Sequence, residues 1–197
     1  MSDSQRIDKA RRNLIVATSA VGGAASVGAA LPFVASMWPS ERARAAGAPV
    51  EVDISKMEPG ELKIVEWRGK PVWIIRRTTE MVGGLAKVEP KLTDAKSDVP
   101  QQPEYAKNGY RSIKPEVMVM EGVCTHLGCS PTAKSAEAKA EMGADWEGGF
   151  YCACHGSKFD LAGRVYRGSP APTNLVVPPH MYLSDTTIFI GEDKKGA

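Results

Sequence analysis

Two stretches decide how the chain is read: Cys124-Thr125-His126-Leu127-Gly128-Cys129 and Cys152-Ala153-Cys154-His155-Gly156-Ser157-Lys158-Phe159. Together they hold all four cysteines of the chain and two of its three histidines. Each pairs a Cys with a His at short spacing, C-x-H first and C-x-x-H second, and each carries one further Cys. Scattered cysteines are usually small buried hydrophobes. Four in two tight pairs beside histidines call for a metal or a disulfide. Gly128 and Gly156 permit the tight backbone that brings amides close to a ligand.

Three chemistries use such residues. A Cys₂His₂ zinc site needs one Cys and one His from each loop, but it leaves two cysteines and Ser157 without a role. A pair of disulfides leaves both histidines idle. An iron–sulfur centre with thiolates on one iron and imidazoles on the other uses every residue type present.

The sequence upstream of the loops is mostly β in character. Strand-like runs are VEVDI (50–54), ELKIVEW (61–67), PVWIIRRT (71–78) and VMVMEGV (117–123), the last leading straight into the first loop. TTIFIG (186–191) is a final strand, and Thr79–Val88 a short helix weakened by Gly83-Gly84. Residues 90–111 are polar and rich in Pro, Lys and Asp, and read as a long surface excursion. Trp67, Trp73 and Trp146 are expected in the core, and His180 at the surface.

At the N-terminus, no ionisable side chain occurs from Asn13 to Ser40. A helix over Leu14–Trp38 would be about 37 Å long, enough to cross a hydrocarbon core of about 30 Å. It exceeds the apolar length of a secretory signal and would be a poor helix in water, given Pro32 and its glycines. Gly22, Gly23, Ala24, Gly28 and Ala29 would let a partner's helix approach closely. Arg11-Arg12 just before it look like a twin-arginine export signal. SERARAAGAP (40–49) reads as a linker or hinge, with one more helical turn as the alternative. Net charge is +2 and the basic residues form no stripe with aromatics, so no nucleic-acid partner is expected.

The two loops, with Gly168-Ser169-Pro170-Ala171-Pro172 after them and YCACHGSKFDLAGRVYRGSPAPTNLVVPP (151–179) as a whole, resemble the Rieske iron–sulfur subunit of bacterial cytochrome bc1 complexes. Residues 80–111 and 130–149 are its least family-like parts. The resemblance implies a mostly β fold: a Rieske-type antiparallel β-sandwich head with a cluster-binding subdomain, preceded by a single N-terminal transmembrane helix. The implied segments are a cytoplasmic N-terminus (1–13), a span (14–39), a hinge (40–49) and a head (50–197) with its cluster-binding part at about 118–180. It implies one [2Fe–2S] cluster, with Cys124 and Cys152 on the inner iron, His126 and His155 on the outer one, and a Cys129–Cys154 disulfide. Around the cluster it places Leu127, Gly128, Gly156, Ser157, Phe159 and Pro170. Leu127 would sit at the exposed tip and Ser157 would donate to a bridging sulfide. Phe159 departs from the Tyr that many relatives carry, whose hydroxyl donates to a ligand sulfur.

Such a centre is neutral when oxidised, since two thiolates offset the core's charge. Rieske potentials accordingly lie at about −150 to +300 mV, against about −400 mV for four-thiolate ferredoxins of the plant type. The imidazoles also titrate, so His155 or His126 could take a proton from a quinol as the iron takes an electron. The implied role is the electron-transfer subunit of quinol–cytochrome c reductase. Its partners would be ubiquinol, cytochrome b and cytochrome c1 within a dimeric bc1 complex, and its place the inner membrane with the head in the periplasm. The alternative is the Rieske small subunit of an exported oxidase of the arsenite-oxidase type. A soluble oxygenase ferredoxin would lack Cys129, Cys154 and the span.

Overall fold

A computed structural model describes residues 9–193; residues 1–8 of the expected N-terminal segment and 194–197 of the head lie outside the described residues. In chain order the elements are α1 (Lys9–Ser36), α2 (Glu41–Ala46), β1 (Val50–Asp53), β2 (Leu62–Trp67), β3 (Lys70–Arg76), α3 (Thr79–Val88), β4 (Val117–Glu121), β5 (Thr132–Lys134), α4 (Lys139–Met142), β6 (Gly149–Cys152), β7 (Ser157–Asp160), β8 (His180–Ser184) and β9 (Thr187–Ile190). The chain divides into two units, one ending at Ala45 and the other beginning at Ala46.

In the first unit, α1 is a 28-residue helix with no buried residue, long and apolar enough to cross a membrane. Arg11 and Arg12 lie on its first turns rather than ahead of it. Three of its hydroxyls bond back to the helix: Thr18 Oγ1 donates to Leu14 O at 2.9 Å, Ser26 Oγ to Gly22 O at 2.8 Å and Ser36 Oγ to Phe33 O at 2.7 Å. They therefore present no unsatisfied donor to an apolar surround. α2 occupies the middle of the 40–49 segment, with Ser40 Oγ accepting from Ala43 N at 3.1 Å as its cap.

The second unit is built from three antiparallel three-stranded sheets, ordered β1-β9-β8, β2-β3-β4 and β5-β6-β7. The middle one explains the arrangement. β4 is buried at every position and β3 over Val72–Ile75. Alternate residues point to opposite faces. Val72, Ile74, Val117 and Val119 pack with Val52, Ile188 and Ile190 of the first sheet. Trp73, Ile75, Met118 and Met120 join the other core, with Phe150, Phe159, Cys124 and Cys152. One sheet thus ties the sandwich base to the Cys/His loops. The contact is tight at Gly122, where a Cβ would come within 2.1 Å of the Trp73 ring.

All three tryptophans expected in the core are buried. One other expectation is refined and one is corrected. Residues 90–111 lie largely at the surface, as expected, but are anchored to the head: Leu92, Ser97, Ala106 and Arg111 are buried, and Thr93 N donates to Val165 O at 2.9 Å. His180 is buried rather than at the surface, with Nδ1 2.8 Å from Pro178 O and its backbone N–H donating to Tyr105 Oη at 2.8 Å. Both depend on partners about 70 residues away, which local polarity does not reveal.

Burial holds the His180 pKa below its usual 6.5. As pH falls the unfolded chain binds that proton first, so stability present above about 6.5 is lost below it. Urea unfolding between pH 7.5 and 5 should show this loss, and His180→Gln should flatten it. An equal slope in both would assign the loss to other groups.

Candidate metal centre

The first Cys/His loop follows β4 and closes on itself. Cys124 N donates to Cys129 O at 2.8 Å and Gly128 N to Cys124 O at 3.0 Å. Gly128 takes φ +83°, a left-handed conformation that favours glycine. The second loop is the β6–β7 hairpin turn, bounded by the Cys152↔Ser157 pair. There Gly156 N donates to Cys152 O at 2.8 Å, with φ +84° at Gly156. A third segment joins both. Thr125 Oγ1 donates to Thr173 O at 2.7 Å, Lys158 N to Ser169 Oγ at 3.1 Å, and Ala171 N to the buried Ser157 Oγ at 3.0 Å. The Ser157 oxygen accepts in that last bond, leaving its O–H free to donate elsewhere.

The four sulfurs separate into two kinds. Cys129 and Cys154 form a disulfide that ties the loops together. Cys124 and Cys152 are free and both 2% exposed. The sulfurs of Cys129, Cys152 and Cys154 lie within 4.8 Å of one another, but two of them are bonded to each other, so these three are not a ligand set. Burial pushes the Cys152 thiol pKa up, as does the adjacent Cys124 thiol. The N–H groups of Cys154 and His155 donate toward it and pull the other way. The His126 and His155 rings meet edge to face, 4.7 Å between centroids, with His126 half-buried and His155 exposed. Leu127 stands beside them, 72% exposed. Phe159 is fully buried against Phe150, while Pro170 is exposed.

Two buried thiols, two imidazoles at the rim and amide donors aimed at a sulfur suit a centre with anionic sulfur inside and neutral nitrogen outside. Residues 49–179 match the family model described as the Rieske [2Fe-2S] domain. The chain belongs to the Rieske iron–sulfur family. Residues 1–40 of this Rieske chain match a second model, the ubiquitinol-cytochrome C reductase Fe-S subunit TAT signal. The chain is 60% identical over 195 residues, 98% of its length and 94% of the relative's, to the ubiquinol-cytochrome c reductase iron-sulfur subunit of Allochromatium vinosum. It is 40% identical to the subunit of the same name from Blastochloris viridis (97% and 98% covered) and 41% to that from Bradyrhizobium diazoefficiens (89% and 88% covered). The Rieske fold carries a [2Fe–2S] centre, and the loop geometry fits one.

Motif reading did not single out the groups that brace the Rieske loops from behind. Thr125 lies inside the first motif and Ser169 inside the third segment, so spacing alone could have flagged them. The buried Asp160 and Arg164, four residues apart after the second loop, are less visible.

Proposed function

We propose that Cys124 and Cys152 hold the inner iron and His126 and His155 the outer iron of one [2Fe–2S] cluster, in the electron-transfer subunit of a quinol–cytochrome c reductase. The observation that supports this best is the sulfur sorting: two buried free thiols beneath a rim of two imidazoles, with the other cysteines used up in a covalent tie. Full-length identity to subunits of that name supports the complex. When bound, the cluster supplies one-electron redox chemistry.

The chain's own residues supply the rest. Exposed His155 would accept a hydrogen bond and then the proton of a quinol hydroxyl, with His126 as the alternative. Leu127 would pack against the quinone pocket of cytochrome b and exclude water there. Ser157 O–H would donate to the cluster. The amides of Cys154 and His155 hold the Cys152 sulfur. Helix α1 would span the inner membrane once, N-terminus in the cytoplasm and head in the periplasm. A six-residue helix has little stability of its own, so α2 within the 40–49 segment could unwind cheaply as the head moves from cytochrome b to cytochrome c1. The bc1 dimer would be the working unit.

Membrane purification tests the assignment. An uncleaved chain that co-purifies with b and c haems and gives a reduced-state Rieske EPR signal is expected. A soluble protein starting near residue 45 would point to an exported oxidase subunit instead. Phe159→Tyr adds a hydroxyl in the core that contains both free thiols. It should raise the midpoint potential in a redox titration; an unchanged or lowered potential would exclude a sulfur acceptor there.

A further inference from the structure

Three guanidiniums are buried in the head: those of Arg77, Arg111 and Arg164. The buried carboxylate among them, Asp160, is committed to Arg164, Oδ2 accepting from Nε at 2.8 Å. The other buried carboxylate, Glu121, accepts from Lys70 Nζ at 2.8 Å. Arg77 and Arg111 hydrogen-bond to neutral groups and feel Asp160 only through space, with Glu116 adding to it at Arg77 and Asp94 at Arg111. Arg77 Nη1 donates to Tyr110 O at 3.0 Å and Leu161 O at 3.3 Å, and Nη2 to Ser112 Oγ at 2.8 Å. Arg111 Nη1 donates to Ala162 O at 2.9 Å, and Nη2 to Leu175 O at 2.8 Å and Gln102 Oε1 at 2.9 Å. Both Nε–H groups are buried without a hydrogen-bond partner. Burial brings both pKa values down to about 10, so both stay charged at neutral pH.

Stability alone does not explain them. Burying a charge is costly, and apolar residues of similar volume often do as well or better. Their surroundings offer another reason. Ala162 and Leu175, whose carbonyls Arg111 binds, belong to the same buried core as Cys124 and Cys152. At Gly163, between Ala162 and Arg164, a Cβ would lie 3.3 Å from Arg111 Nη1. Charge in such a core acts through a low effective dielectric and is screened little by salt. Reduction adds negative charge to the core's redox centre, and fixed positive charge favours it.

We propose that Arg77 and Arg111 are tuning residues: buried cations with no carboxylate hydrogen-bonded to them, which raise the potential of the one-electron centre. This rests on the reading of Cys124, His126, Cys152 and His155 as cluster ligands. Gln102→Glu sets a carboxylate against Arg111 without altering the guanidinium, and Gln102→Met removes the same contact without adding charge. Ser112→Asp does for Arg77 what Gln102→Glu does for Arg111. Each is made in the full-length protein, with loading measured by iron content and EPR, and the midpoint by potentiometric titration. Gln102→Glu and Ser112→Asp should lower the midpoint, Gln102→Met should leave it at wild type, and the differences should persist at high ionic strength. A loaded Gln102→Glu or Ser112→Asp that titrates with wild type removes that arginine from the tuning role. An equal shift in Gln102→Met, or one abolished by salt, overturns the electrostatic account. A wild-type chain without a Rieske EPR signal would overturn the ligand reading itself.

Discussion

Asp160→Ala will destabilise the head by roughly 3–5 kcal/mol, the usual result of stripping one partner from a buried ion pair. The carboxylate closes the turn after β7. Oδ1 accepts from Ala162 N at 2.9 Å and Arg164 N at 2.7 Å, and Oδ2 from Arg164 Nε at 2.8 Å. Arg164 in turn donates to Leu85 O at 2.8 Å and Ala95 O at 3.2 Å, drawing α3 and the 90–111 segment onto the loops. Without Asp160, Arg164 loses its ion pair, and Arg77 and Arg111, which it repels, lose the carboxylate that offsets their charge through space. Denaturant unfolding followed by circular dichroism measures the loss, which is large against a typical domain stability of about 5–15 kcal/mol. The double variant Asp160→Ala with Arg164→Met should recover part of it, because the orphaned charge goes too. Additive losses would show that the pair is not coupled.

Replacing both Cys129 and Cys154 by alanine will cost most of the bound cluster. The bond joins residues 25 apart, and loop closure of that length contributes roughly 3.5 kcal/mol in the chain-entropy model. The local consequence is sharper. Cys154 flanks Cys152 in the hairpin turn, and its amide and that of His155 point at the Cys152 sulfur. Releasing the tie frees that turn and lets the two histidines part. Iron and acid-labile sulfide per chain should fall well below wild type, with the visible spectrum. Cys154 is exposed, so an added reductant should cause the same loss in the wild-type protein. Full occupancy in the double variant would limit the bond to global stability.

Much of this site is legible in the sequence. The disulfide is the one the resemblance implied, and Leu127 is exposed as expected at a tip. β1 to β4, β9 and α3 follow runs that local patterning marks. Of the strands it missed, β5 to β8, the first and last are instructive. β5 is three residues in an Ala- and Lys-rich segment, and β8 begins at His180 after two prolines. Each is made a strand by its neighbour: Thr132 pairs with Tyr151 and Met181 with Phe189. The polar run 90–111 hid its buried anchors for a similar reason. Arg111 looks like a surface residue until the carbonyls of Ala162 and Leu175, more than 50 positions away, are brought to it.

Arg111 also has a kinetic consequence. Its guanidinium is held by two carbonyls and one amide oxygen inside a closed core, so it has little freedom to reorient when a neighbour's charge changes. Dipoles and charges fixed in advance have little left to relax. Arg111's own share of the reorganisation energy for an electron arriving in this core would be small, leaving the larger share to the solvent around exposed His155.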